Sequence, residues 1–256
     1  MRFDFLAELA RRRVVDRYVG TSSRVFWALL SPIIPLVLNV AVFYFIAKIP
    51  QIQSMGLAAY AVFMFSGLIP FRIVQKTAME GCDLLVANMD MLKTAVFPLP
   101  FLSLSAVAAS LLEFLVQCFF MAVLLALAGT SLTWTIVLLP LAVVMLFMLA
   151  LGLSWLLSVL SYVLRDLQEV MGLLFSVVLY LTPIIYPPEA APKILQVLMY
   201  LNPLTNYIIM FRDTIVPDLA GIHIQAWLLA CATSTAVLAV GYVGIRKAQR
   251  FVGDMV

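Results

Sequence analysis

"SLLEFLVQCFFMAVLLALAGTSLTWTIVLLPLAVVMLFMLALGLSWLLSVL", residues 110 to 160, contains one charged side chain, Glu113. The wider stretch from Thr94 to Leu164 adds no other. A helix crosses a bilayer core with about 20 apolar residues, so this stretch is too long for one crossing. At 128–133, "AGTSLT" offers glycine, serine and threonine for a turn. The stretch therefore reads as two membrane spans, 98–128 and 134–163.

The rest of the chain agrees. Its 256 residues are 64% hydrophobic and 11% charged, with a mean hydropathy of +1.10. Soluble domains run near about 45–50% apolar and about 25% charged, and one globular core could not hide this much apolar surface. The fold class is an all-α polytopic membrane protein. Upstream, "VFWALLSPIIPLVLNVAVFYFIA" at 25–47 lies between Arg24 and Lys48 and is long enough to cross, with Pro32 and Pro35 kinking its first half. A second span follows at 56–74. Downstream, "RDLQE" at 165–169 is a short polar connection to a fifth span, 170–187, and a sixth covers 223–245.

Six spans place both termini on one side. With that side cytoplasmic, thirteen of the sixteen Lys and Arg fall inside, and only Lys48, Lys193 and Arg212 fall outside. The positive-inside rule selects this orientation. The first two dozen residues are rich in charge and lack a short apolar h-region, so no cleavable signal is expected. Residues 1–24 read instead as a basic helix on the inner leaflet or as a plain positive-inside anchor.

"TPIIYPPEAAP" at 182–192 stops the fifth span with four prolines. The following "KILQVLMYL" and "LTNYIIMFRDTIV" are two short apolar helices divided by Asn202-Pro203, each too short to cross. The region 188–218 reads as outer helices that turn back, either as a gate at an exit or as a lid that only packs.

Chemistry of other kinds is missing from the sequence. There is no G-x-x-x-x-G-K-[ST] phosphate loop. No Cys/His or carboxylate cluster has metal spacing, and Cys82, Cys118 and Cys231 are far apart. The one histidine, His223, begins the sixth span, and a net charge of +3 gives nucleic acid little to bind. Glu113 and Asn39 are the strongly polar mid-span side chains, and each reads first as an interhelical hydrogen-bonding residue. A membrane-embedded transferase would need paired acids or a His/Asp centre, and a stand-alone channel would not need a mixed-charge inner helix. The chain reads as a pathway whose energy comes from a partner.

Six stretches in order resemble the permeases of type-two ABC exporters, in particular those moving O-antigen, capsule or teichoic acid. They are "RYVGTSSRVFWALLSP" (17–32), "GLIPFRIVQ" (67–75), "NMDMLKTAVFP" (88–98), "RDL" (165–167), "LTPIIYPPE" (181–189) and "LNPLTNYIIMFRD" (201–213). The resemblance spans nearly the whole chain, as a single transmembrane domain, 1–256. It implies a homodimer bound to two cytoplasmic ABC ATPase subunits in a bacterial inner membrane. ATP and Mg would be held by the ATPases, with no cofactor in this chain. It implies a lipid-linked cell-surface polysaccharide as substrate, with a drug or small lipid as the alternative. It implies a coupling helix within 75–97, where Glu80, Asp83, Asn88, Asp90 and Lys93 are the polar contact candidates and Leu84 and Met89 the apolar ones. Arg165 and Asp166, in the other tight inner loop, either contact the ATPase or leave Asp166 to cap the fifth span. For the outer stretch it implies re-entrant helices at the exit, assigning Tyr180, Pro183, Tyr186, Pro187, Tyr200, Asn202, Pro203, Tyr207 and Arg212 to a gate or channel. The four tyrosines offer flat apolar faces and hydroxyls to a sliding sugar polymer, or form an interfacial aromatic belt.

Overall fold

The computed structural model describes residues 30, 33–84, 99–130, 133–164, 166–215 and 221–253. The interfacial segment expected at 1–24 lies outside them. So do Asn88, Met89, Asp90, Lys93 and Arg165 of the expected coupling elements.

Among the described residues the regular secondary structure is all helical. In chain order they form α1 (Ile33–Val40, continuing as a π-helical turn Ala41–Ile46), α2 (Pro50–Gln53), α3 (Leu57–Leu84), α4 (Leu99–Ala128) and α5 (Leu139–Val163). After these come α6 (Leu167–Tyr180), α7 (Lys193–Leu201), α8 (Pro203–Ile215) and α9 (Ile224–Gly253). A 3-10 turn, Trp134–Leu138, leads into α5, and another, Pro188–Ala190, leads into α7. Among the described residues, four helices are long and apolar enough to cross a membrane: α3, α4, the α5 unit and α9.

α3 is the hub. It packs against α1, α4, α5, α6 and α8, while α5 packs most extensively on α9. Small residues set the closest approaches. A Cβ on Gly81 of α3 would lie 2.7 Å from the Ser154 backbone of α5, and one on Gly152 would lie 2.7 Å from Leu238 of α9. Close backbone contact of this kind drives helix association where lipid is as apolar as the side chains.

α9 runs on to Gly253, past the expected 245, and two further boundaries differ from the sequence reading for local reasons. The segment expected to leave the second span at Gln75 stays helical through Leu84. Arg72, Lys76 and Glu80 recur every four residues along it, a spacing that stacks them on one helical face. The fifth apolar run is helical only to Tyr180, short of the expected 187. Thr182-Pro183 follows, and the residue before a proline disfavours helix. At 14 residues α6 is about 21 Å long, less than the roughly 30 Å of a bilayer core.

At Ala128, α4 stops in a Schellman pattern: Thr130 N–H donates to Leu125 O and Gly129 N–H to Ala126 O, with Gly129 at φ +66°. α7 and α8 meet at 84°. Asn202 makes that corner. Its Oδ1 accepts from the Leu204 N–H at 3.0 Å, and Pro203 takes the first helical position.

Candidate functional site

Two polar regions lie at opposite ends of α3. At its N-terminal end the proline turn is held down by side chains rather than left as a loop. Tyr60 Oη donates to Ile185 O at 2.8 Å, Tyr186 Oη to Tyr180 O at 2.7 Å, and Thr182 Oγ1 to Leu179 O at 2.9 Å. Ile184 and Ile185 are buried beneath it. The prolines thus end the helix, and the carbonyls they leave are satisfied by hydroxyls, which a low-dielectric setting requires.

Around this turn three of the sequence stretches that carry the family resemblance come together. Arg212 of α8 lays its guanidinium over the Phe63 ring of α3, 3.7 Å from the centroid. Its Nη2 donates to Phe63 O at 3.1 Å and its Nε reaches Ser66 Oγ at 3.4 Å. Gly67 leaves room for it: a Cβ there would sit 3.2 Å from both Arg212 Nη2 and Ile184. Next to it, Asp213 is a buried carboxylate that accepts the His223 N–H at 2.9 Å and Trp227 Nε1–H at 3.1 Å, and pairs with His223 Nδ1 at 2.8 Å. This clamp ties the end of α8 to the start of α9. A cleft of about 550 Å³ opens between these elements, with Arg212, Asp213, His223, Glu189, Tyr200 and Phe63 among its walls.

The residues assigned to a gate divide here. Pro183, Pro187, Tyr200 and Arg212 line the cleft. Tyr180 is exposed on α6 and receives the Tyr186 bond, while Asn202 and Pro203 form the α7–α8 corner. Tyr207 lies elsewhere. It is buried, and its hydroxyl meets Ala230 O at 2.9 Å, Thr233 Oγ1 at 2.9 Å and Ser234 Oγ at 2.6 Å, with Ser234 in turn donating to Met145 O. It joins α8, α9 and α5.

The C-terminal end of α3 carries charge. Lys76 pairs with Glu113 of α4 and stands 4.0 Å from Glu80, and Arg72 is within Coulombic range of Glu113. Glu113 thus bonds between helices, as the sequence reading has it, with a lysine of α3 as its partner, whereas Asn39, read the same way, does not. Asn39 bonds within its own helix, to Pro35 O at 2.7 Å. Further along, Gln168 Nε2 donates to Asp83 Oδ2 at 2.7 Å. That bond brings the start of the expected coupling segment together with the 165–169 connection. Asp83 is exposed and Leu84 buried. Asp166 occupies the N-cap position of α6 without a side-chain capping bond.

Sequence reasoning missed Phe63, Ser66, Asp213 and Lys76 as partners. The four-residue spacing of Arg72, Lys76 and Glu80 was a usable signal for the last. Nothing in the sequence marked Asp213 as the anchor of a histidine ten residues on.

The described residues thus form a helical bundle with several helices able to cross a membrane, and polar side chains gather at both ends of α3. The chain belongs to the ABC-2 type transporter family, whose profile matches residues 6–216. It is similar to an O-antigen export system permease protein RfbA of Klebsiella pneumoniae, 28% identical over 82% of this chain and 80% of the relative. A protein of the same description from Myxococcus xanthus is 27% identical over 83% and 82%. The chain is therefore a multi-pass membrane permease subunit, not the catalytic one, of a family that works with an ABC ATPase.

Proposed function

We propose that the chain is the permease of an ATP-driven exporter that moves a lipid-linked cell-surface polysaccharide from the cytoplasm to the outer face of a bacterial inner membrane. The observation that carries this reading is the likeness to O-antigen export permeases over four-fifths of both chains. The fold suits the task. α3 is about 42 Å long and continues as one helix, past Pro70 in its interior, from the cleft at Phe63 to the Asp83–Gln168 contact. A push at one end of such a rod reaches the other.

In this reading six segments cross, with α1 and α6 as the shorter members and both termini cytoplasmic, and α7 and α8 form a re-entrant pair outside. The chain works as a homodimer on two ATPase subunits. Those subunits hold ATP and Mg, and they contact the 75–97 segment through Glu80, Asp83, Asn88, Met89, Asp90 and Lys93, and the 165–169 connection through Arg165 and Asp166. ATP-driven closure of the ATPases shifts the two copies and opens a path past the outer helices.

The test is deletion of the gene, followed by fractionation and glycan staining. Polymer retained inside on its lipid carrier is expected, with rescue by the wild type and loss of rescue by Asn88→Ala at normal expression. Unchanged surface polymer, with no second exporter present, would refute the glycan reading and favour a permease for a drug or small lipid.

A further inference from the structure

We infer that the cleft between the proline turn, α8 and the start of α9 is a binding site for a sugar unit, within a single copy of the chain. This inference rests on the export reading above and gives its outer end a ligand. The volume of about 550 Å³ lies within the roughly 300–1,000 Å³ of small-ligand pockets. The composition of its walls selects the ligand class. Met55, Ala59, Ile209 and the prolines supply apolar surface, and Tyr200 adds an exposed ring and hydroxyl. Glu189 supplies a carboxylate acceptor.

The polar groups are pre-set. His223 is held through Nδ1 by Asp213, which is only 3% exposed, so Nε2 is the ring nitrogen left to a ligand on a side chain 46% exposed. Arg212 is fixed flat by Phe63 and Ser66. Such anchoring lowers the entropy that binding must spend. Charge is close to balanced, one arginine against Glu189 and Asp213, which gives a polyanion no net attraction. Apolar faces beside acceptors and donors on fixed side chains match a hydroxyl-rich ring with apolar C–H faces. An inorganic anion would leave the apolar walls unused.

The experiment uses the full chain in lipid nanodiscs with oligosaccharides released by partial acid hydrolysis of the host's own surface polymer, read by saturation transfer from protein to sugar. Binding is expected, weakened about tenfold by Tyr200→Ala and severalfold by Glu189→Gln, two exposed positions whose replacement leaves the fold intact. Inorganic pyrophosphate should not compete. Equal binding by wild type and both variants would overturn the cleft assignment and leave the export reading standing, as would displacement by pyrophosphate. Surface polymer that persists without the gene would overturn both.

Discussion

α3 and the Trp134–Val163 unit are both long apolar helices, yet they live in different solvents. Of the most apolar window of α3, 67% is buried within the chain, against 28% for Trp134–Val163. α3 is nevertheless the less apolar of the two by hydropathy. In water that order would be inverted. In a bilayer lipid tails are as apolar as leucine, so the greasiest helix belongs outside and the helix carrying Arg72, Lys76 and Glu80 belongs within. Hydropathy locates the crossings, but it does not by itself say which one the protein surrounds: α9 is about as apolar as α3 and only 22% buried, so the charges along the packed face of α3 are what set it apart.

Five single substitutions sharpen that contrast. The largest effect is expected from Glu113→Leu, which takes from Lys76 its closer acid, leaves it Glu80 at 4.0 Å, and should cost about 3 kcal/mol. Unfolding in detergent would measure it, and adding Lys76→Met should recover part. A Glu113→Leu protein as stable as the wild type would mean that α3 does not depend on its buried charge. Next comes Gly241→Ala, whose methyl would meet Gly152 O at 2.5 Å where α5 and α9 cross. A loss of about 1–3 kcal/mol is expected. Gly244→Ala, three residues on in open space, should instead gain about 0.5–1 kcal/mol. Like signs for the two in thermal melts would show that the α5–α9 approach is not as close as described.

A smaller loss, about 1 kcal/mol, is expected for Tyr60→Phe, which frees the Ile185 carbonyl under the proline turn. Tyr186→Phe should cost about half that, its partner carbonyl lying on the exposed Tyr180. Proteolysis within 182–192 would follow the same order if the hydroxyls hold the turn.

Much of this architecture was legible in the residues. A 71-residue stretch broken only by Glu113 and by "AGTSLT" announces membrane helices and the turn between them. Proline and asparagine announce that α6 stops, though at Tyr180 rather than the expected 187, and where α7 meets α8, because they act on the backbone beside them. The charged face of α3 was hidden for the opposite reason. Lys76 reads as a loop residue until Glu113, distant in sequence, is placed against it. The clamp on His223 was equally out of reach, since it depends on α8 and α9 meeting. Tyr207, grouped by sequence with Tyr180, Tyr186 and Tyr200, faces α9 because that helix offers Thr233 and Ser234.

The most direct measurement is ATP-dependent transfer of the lipid-linked glycan in inside-out membrane vesicles carrying this chain and its ATPase. Glycan that becomes protected from an added glycosidase with ATP, but not with a non-hydrolysable analogue, is the expected result. Glycan that stays fully accessible with ATP, while the ATPase in the same vesicles turns over, would contradict the account.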